Sequence, residues 1–220
     1  MKRLIQSIFA AAAGLLIASG AAQAHPHVWI TMTSTVLYAP DGTVTGVRHA
    51  WTFDEFYTAM AVQGLDKDGD GAFSAQELKP LVQVNIESLK EFDYFTFVHF
   101  DDDEKLPLKP PENYSLDYVG KGLLTLNFTL PLATPLKIAG KTLKLDVYDP
   151  SFFVAFGFAK DAPVKLSGPS ACSAEIEKPD ASDADAEALG EAFFSQLGPG
   201  SNYGSQYSQT VLIKCGNAPS

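Results

Sequence analysis

Residues 66–77 of this sequence place oxygen-bearing side chains at a regular spacing. Carboxylates occupy the first, third, fifth and twelfth positions of the segment: Asp66, Asp68, Asp70 and Glu77. Gly71 at the sixth position permits the sharp bend that a Cβ atom would oppose. Calcium takes about six to eight oxygen ligands, and this spacing is that of the EF-hand loop. The segment therefore predicts a calcium site.

The remaining loop positions agree with this interpretation. Ala72 at the seventh position contributes its backbone carbonyl, and Ser74 at the ninth binds directly or through a water molecule. Glu77 closes the shell with both carboxylate oxygens. Phe73 at the eighth position supplies the apolar side chain that anchors the loop. The alternative, an acidic surface loop, would have to match all of these positions by chance.

Two features indicate a modest calcium affinity. The sequence contains no second EF-hand loop with which this one could pair. Pro80 falls early in the following helix and would disturb it unless that helix begins near Lys79. We expect a dissociation constant of about 10⁻⁴–10⁻³ M, as in extracellular modules, and a calcium ion that braces the fold.

The first residues have the order of a secretory signal peptide. Lys2 and Arg3 precede an apolar run at 4–17, and small residues that end in the A-x-A pattern Ala22-Gln23-Ala24 follow it. An uncleaved membrane anchor is the alternative, but the apolar run is short for a hydrocarbon core that needs about 20 residues. We expect cleavage after residue 24, a mature chain that begins at His25, and a periplasmic location.

The histidines are few: His25, His27, His49 and His99. At a mature terminus, the α-amine and imidazole of His25 form a chelate, and His27 adds a second ring. Such nitrogen donors suit zinc, nickel or copper. His49 is a candidate third ligand because it lies on the second strand of a predicted hairpin and could approach the terminus. His99 is expected at the edge of the core, and two merely solvated terminal histidines are the alternative to a metal site.

The charge balance restricts the partners. The formal net charge is −10, and removal of Lys2 and Arg3 with the signal peptide lowers it to −12. An acidic surface repels the phosphates of nucleic acids and anionic lipids and attracts cations. We therefore expect no nucleic-acid partner.

Cys172 and Cys215 are the two cysteines of the chain. An even count in an oxidising compartment predicts a disulfide bond between them, and two buried thiols are the alternative. The chain-entropy model gives such a bond about 3–4 kcal/mol of stabilisation.

Periodicity and turn signals predict an α+β fold: mainly antiparallel β-sheets with an inserted EF-hand helix–loop–helix and a late helix. The mature chain, 25–220, forms one domain that carries the insertion at 54–90. Strands are predicted at 28–38, 43–53, 92–100, 123–130, 142–148, 152–158, 164–166 and 209–214. Helices are predicted from Asp54, which caps the first, to residue 63, after the calcium loop to about residue 89, and at 180–197. Residues 107–113 are predicted to be a loop.

Four sequence segments carry a resemblance to a known family: HPHVWI (25–30), WTFDEF (51–56), DYFT (93–96) and YDPSFF (148–153). Together with the calcium loop and the terminal cysteine strand, they resemble a bacterial periplasmic family over essentially the whole mature chain. Its members are labelled periplasmic components of an ABC-type transport system and accompany nickel/cobalt-type permeases, and some are implicated in zinc supply. The resemblance implies metal trafficking beside a membrane transporter. Asp54, Glu55 and Asp149 match its motifs and are candidate oxygen ligands. The alternative is a structural role, with Asp54 as a helix cap and Asp149 as a turn residue.

These observations favour a periplasmic metal-binding accessory protein with calcium and a transition metal such as zinc or nickel, and no enzymatic activity. Two alternatives remain. A solute-binding protein of an ABC importer usually has two α/β lobes, and the alternation of strands and helices that predicts them is absent here. A copper enzyme with an N-terminal histidine brace would use His25 and a distant histidine, His49 or His99.

Overall fold

The computed structural model describes residues 26–100, 104–119, 122–138, 140–168, 171–182 and 201–216, together with residues 185, 193, 196 and 197. The predicted signal peptide at 1–24 and His25 lie outside these residues. Most of the helix predicted at 180–197 lies outside them as well.

Strands dominate the described chain. The strands are β1 (Val28–Tyr38), β2 (Val44–Phe53), β3 (Thr96–Phe100), β4 (Glu104–Lys105), β5 (Glu112–Val119), β6 (Leu123–Leu136), β7 (Thr142–Val147), β8 (Val154–Phe158), β9 (Val164–Ser167), β10 (Cys172–Ile176) and β11 (Val211–Cys215). Two α-helices, α1 (Glu55–Ala61) and α2 (Ala75–Leu89), lie between β2 and β3. Short 3₁₀ helices occupy Lys90–Phe95 and Tyr203–Tyr207.

The strands form two sheets. The six-stranded sheet has the order β5-β6-β2-β1-β8, with β9 also paired to β1, and the five-stranded sheet has the order β10-β11-β7-β3-β4. Most neighbours are antiparallel, whereas β8 and β9 run parallel to β1 along successive halves of that strand. The prediction of an α+β fold with mainly antiparallel sheets is confirmed.

The hydrophobic core lies between the inner faces of the two sheets. Buried and more exposed residues alternate along β1 and β7, as the two-residue period of a strand requires. Met32 and Trp51 of the six-stranded sheet and Leu145 and Ile213 of the five-stranded sheet are completely buried. The predicted β1–β2 hairpin is confirmed, with β2 beginning one residue later than expected.

Helix α2 begins earlier than predicted. Its first residue is Ala75 rather than a residue near Lys79, because Ser74 and Glu77 form a reciprocal capping box at its start. Pro80 lies inside the helix. Since proline has no N–H, the helix forgoes one backbone hydrogen bond there. The buried side chains of α2 are Leu78, Val82 and Ile86, which join the main core.

The strand predicted at 92–100 is wrong in its first half. Residues Asp93, Tyr94 and Phe95 have φ of 52°, 54° and 48°, so the chain makes a left-handed turn before β3 begins at Thr96. The Thr96 hydroxyl donates to the Tyr94 carbonyl across this turn, at 2.8 Å. Strands β4, β5 and β10 were not predicted, and β5 begins within the segment expected to be a loop.

Two structural features bear on the cellular compartment. Cys172 and Cys215 form a disulfide bond, as predicted, and are directly opposite each other on β10 and β11. Such bonds persist in oxidising compartments. Within the described residues, no helix has both the length and the apolar character needed to span a membrane.

Candidate metal sites

The acidic segment 66–77 connects α1 to α2. One carboxylate oxygen from each of Asp66, Asp68 and Asp70 can be chosen such that all three lie within 4.8 Å of one another. Asp66 is half-buried, and the other two aspartates are exposed. The structure thus brings together the side chains predicted at loop positions 1, 3 and 5.

Backbone N–H groups of the loop hold these aspartates in place. Asp66 accepts hydrogen bonds from the N–H groups of Gly69 and Gly71, at 2.7 and 3.1 Å. Asp68 accepts from the N–H of Asp70 at 3.2 Å. Gly69 and Gly71 have φ of 75° and 81°, a conformation that glycine adopts without a steric penalty. The carboxylates are therefore oriented by the fold of the loop itself.

Glu77 ties the two ends of the loop together. One of its oxygens accepts from the Lys67 N–H at 2.6 Å, and the other accepts from the N–H and the hydroxyl of Ser74 at 2.9 and 2.8 Å. These hydrogen bonds lower the pKa of Glu77 to about 2, because they stabilise its ionised form. The side chain is therefore a carboxylate at every physiological pH.

The loop is attached to the six-stranded sheet through Phe73. Its ring packs edge-on against the ring of Tyr118 on β5, with 4.7 Å between centroids. Strand β5 is an edge strand, and α2 packs along it. In paired EF-hands, the apolar side chain at the eighth loop position contacts the partner loop. Here the side chain at that position, Phe73, contacts the sheet instead, and this contact anchors the loop.

His27 lies immediately before β1. Its N–H donates to the carbonyl of Phe153 at 2.9 Å, and its imidazole stacks on the Phe153 ring with 4.5 Å between centroids. The side chain is half-buried. Its place beside the beginning of β8 is therefore fixed by both backbone and ring contacts.

The structure does not bring His49 near His27 and the predicted mature N-terminus. His49 pairs with Ser34, seven residues beyond His27 along β1 and therefore about 23 Å from it at ~3.3 Å per residue. It is completely buried between the sheets. Ser34 Oγ lies 2.9 Å from its Nδ1, and Thr96 Oγ1 lies 3.4 Å from its Nε2. Burial lowers the pKa of His49 to about 3, so the ring is neutral.

Ser34 and Thr96 were not singled out from the sequence. They lie 15 and 47 residues from His49 in the chain, and no local pattern links the three. We call Ser34, His49 and Thr96 the inter-sheet cluster. Both of the ring nitrogens face hydroxyl groups, which satisfies this buried side chain without a metal ion.

The other candidate ligands have structural roles. Asp54 caps α1 by accepting from the Tyr57 N–H at 2.8 Å, and its second oxygen accepts from the Trp29 N–H at 2.8 Å. Asp149 is buried and accepts from the backbone N–H groups of Ser151 and Val154, at 2.8 and 3.0 Å.

His99 and Glu55 have other surroundings. On β3, His99 lies opposite Lys105 on one side and Lys144 on the other, a poor setting for a cation. Glu55 is exposed in the first turn of α1.

Comparisons with known proteins place the chain in a family. The family described as "Protein of unknown function (DUF1007)" matches residues 10–215. An "Uncharacterized protein" of Haemophilus influenzae is 28% identical over 204 residues, which cover 92% of this chain and 96% of that protein. An "Uncharacterized 15.5 kDa protein in trpE 3'region" of Spirochaeta aurantia is 32% identical over 102 residues, 46% of this chain and 70% of that protein. The chain therefore belongs to the DUF1007 family of proteins of unknown function.

Proposed function

We propose that this protein is a periplasmic metal-binding accessory protein, braced by calcium, that works with a membrane metal transporter. Segment 66–77 supports the calcium part of the proposal. The terminal histidines, His25 and His27, support the binding of a transition metal, zinc or nickel. The proposal assigns no catalytic reaction to the chain.

The arrangement of the three aspartates carries the calcium proposal. Their oxygens lie within 4.8 Å of one another, and backbone N–H groups orient them. Carboxylate oxygens are the ligands that calcium prefers, and three carboxylates so close together repel one another until a cation neutralises them. The proposed ligands are the side chains of five residues and one backbone carbonyl: Asp66, Asp68, Asp70, Ser74 and Glu77, and the carbonyl of Ala72.

Calcium at this position would join separate elements of the fold. Asp66 follows α1, whereas Glu77 belongs to the first turn of α2. Phe73, between them, contacts the edge strand β5 through Tyr118. An ion bound to both ends of the segment would therefore restrain α1, α2 and the sheet edge relative to one another.

The hydrogen bonds of Glu77 argue for a modest affinity. One of its oxygens accepts a hydrogen bond from Lys67, and the other accepts two from Ser74. Coordination of calcium by both oxygens would have to replace some of these bonds. An affinity of about 10⁻⁴–10⁻³ M, as in extracellular modules, is consistent with this cost.

Isothermal titration with calcium tests the site. Glu77→Gln and Asp68→Asn should each weaken binding by more than about tenfold, since each removes a charged oxygen ligand. Glu87→Gln is the matched control, because Glu87 is an exposed acidic residue on α2 outside the loop. Equal calcium affinity in all four proteins, or no binding at millimolar calcium, would exclude the loop as a calcium site.

The transition-metal part of the proposal concerns the mature terminus. His27 is held against Phe153, which would keep one imidazole in a defined position beside the chain end. A bound zinc or nickel ion would take nitrogen donors from His27 and from the amine and ring of His25. His49 is not included, because it is buried and distant.

Zinc titration tests the terminal site in three mature proteins: the wild type, a variant with an alanine added before His25, and His27→Ala. An alanine added before His25 displaces the amine and should weaken zinc binding strongly, and His27→Ala should weaken it measurably. Calcium binding should be the same in all three and serves as the control. If zinc affinity is equal in all three, the terminal site does not exist.

The resemblance to periplasmic components of transport systems supports the transporter part of the proposal, and the disulfide bond fits an extracytoplasmic location. Co-purification from detergent-solubilised membranes with a metal permease tests it. A tagged protein that retains no permease under conditions that preserve its fold would contradict this part.

A further inference from the structure

Large apolar side chains are exposed at the end of the molecule where β1 begins. Trp29, Phe56, Met60 and Phe153 have exposed fractions of 51%, 76%, 54% and 46%. We call these four residues the aromatic surface. They come from three separate parts of the chain, namely β1, α1 and the turn before β8.

Backbone pairing brings the three parts together. Strand β1 lies between β2 and β8 in the sheet. On the β8 side, the rings of His27 and Phe153 are stacked, and Trp29 shares the face of β1 on which His27 lies. On the β2 side, Trp29 exchanges hydrogen bonds with Asp54, the cap of α1, at 2.8 and 2.9 Å. Trp29 therefore lies between Phe153 and the start of α1.

The fold does not need these side chains in its core. On β1, Val28 and Ile30 point inward on either side of Trp29. On α1, Tyr57 stacks on Phe53, and Thr58 is buried, whereas Phe56 and Met60 lie one turn apart on the opposite face. Exposed apolar groups of this size, gathered in one place, are typical of protein interaction sites.

The charges around the aromatic surface are one-sided. The stretches that carry its residues, 26–33, 52–62 and 148–156, contain no lysine or arginine. Glu55 is exposed in the first turn of α1, directly beside Phe56. Aromatic rings attract cations over their faces, and a carboxylate at their rim adds to this attraction. The surface is therefore complementary to groups that are apolar and positively charged.

We propose that the aromatic surface binds a protein segment in which apolar side chains alternate with lysine or arginine. Its apolar side chains cover Phe56, Met60 and Phe153, and its cationic groups lie over Trp29 and beside Glu55. A membrane of anionic lipids is disfavoured, because the net charge of the chain is −10 and the surface has no basic residue to contact phosphate.

Selection from a displayed library of random 12-residue peptides tests the proposal. Peptides retained by the mature protein should combine lysine or arginine with aliphatic or aromatic residues. A selected peptide should lose at least about tenfold in affinity on Phe56→Ser and on Glu55→Lys, as expected for central contacts of an interface. Val84→Ala is the control, because Val84 is 59% exposed on α2, outside the surface, and its loss should leave the affinity unchanged.

The chosen variants should fold as the wild type does, so that a loss of peptide binding can be attributed to the aromatic surface. Phe56 and Glu55 are exposed on α1, so their replacement should leave the melting temperature within a few degrees of the wild type. Selection of acidic peptides, of no peptides, or of peptides that bind the Phe56→Ser protein equally well would overturn the proposal. Sedimentation of the protein with phosphatidylserine or phosphatidylcholine vesicles, abolished by Phe56→Ser, would also overturn it in favour of a lipid surface.

Discussion

Two polar regions of this protein contrast in how they are built. The acidic segment, 66–77, is continuous in the chain and largely exposed, and its carboxylates accept hydrogen bonds from neighbouring backbone N–H groups. The inter-sheet cluster is buried, and Ser34, His49 and Thr96 come from three strands of two sheets. The pKa shifts of both regions are downward, from hydrogen bonding in Glu77 and from desolvation in His49.

This difference in cause has consequences for charge. Hydrogen bonds to the carboxylate keep Glu77 ionised and ready for a cation. Burial keeps the His49 ring neutral and hydrogen-bonded to hydroxyl groups, so that it serves packing. A downward pKa shift therefore marks a charged group in the loop and an uncharged group in the core.

The largest expected effect is the loss of the buried ring. His49→Ala should lower the free energy of unfolding by about 3 kcal/mol, because it leaves a cavity and removes the partner of the Ser34 hydroxyl. Urea denaturation measures this change. Ser34→Ala, which leaves most of the packing intact, should cost about 1 kcal/mol. A loss of less than about 1 kcal/mol for His49→Ala would show that the cluster contributes little to stability.

Calcium should have the next largest effect. At a concentration 100 times the dissociation constant, binding to the folded state alone adds about 2.7 kcal/mol to the free energy of unfolding. Glu77→Gln should remove most of this gain, because the amide offers one weaker oxygen in place of a carboxylate. Melting curves in EDTA and in millimolar calcium measure the gain. Identical curves for the wild-type protein would remove the loop from the list of calcium sites.

Acid should weaken the buried region. In the unfolded chain His49 takes up a proton near pH 6.5, whereas burial lowers its pKa to about 3 in the folded protein. The unfolded state therefore binds more protons between these values, and the stability contributed at neutral pH is lost as the pH falls below about 6.5. The slope from this single group is at most about 1.4 kcal/mol per pH unit.

His49→Gln isolates this contribution, since glutamine does not titrate. Urea denaturation of both proteins at pH 7.5, 6.0 and 5.0 should show the advantage of the wild type shrinking as the pH falls. A difference between the two proteins that is the same at all three values would contradict a neutral, desolvated His49.

The smallest effect is expected in the loop. Protons compete with calcium at Glu77 only near its pKa of about 2. Calcium affinity should therefore change by less than about twofold between pH 7.5 and 5.5, because both pH values lie well above the ordinary pKa values of carboxyl groups. Titration calorimetry at both values measures it. Zinc binding, if it uses His25 and His27, should weaken over the same range and provides the comparison. A tenfold fall in calcium affinity between these pH values would contradict this prediction.

Local signals predicted several elements correctly. The strands predicted at 28–38 and 43–53 form the expected β1–β2 hairpin, and Gly42 in the short turn between them has a φ of 80°. Asp54 caps α1 as expected. The pairing of Cys172 with Cys215 followed from their even count in an expected oxidising compartment. In the hairpin and the helix cap, the determining residues are close together in the chain. In the disulfide bond, two cysteines allow only one intramolecular pairing.

Other elements depended on distant contacts. The aromatic segment at 92–95 has the composition of a strand, yet residues 93–95 have positive φ and form the turn between α2 and β3. The parallel pairing of β1 with β8 joins residues more than a hundred positions apart, and no local pattern specifies it.

The sequence by itself determined the spacing of Asp66, Asp68, Asp70 and Glu77, since twelve consecutive residues contain both the four carboxylates and the glycine that bends the loop. Only the tertiary structure decided the surroundings of the histidines. His49 could be assigned to the core only when two sheets placed Ser34 and Thr96 around it, because burial and hydrogen bonding arise from residues far apart in the chain. The same packing placed Trp29, Phe56 and Phe153 together at one end of the molecule.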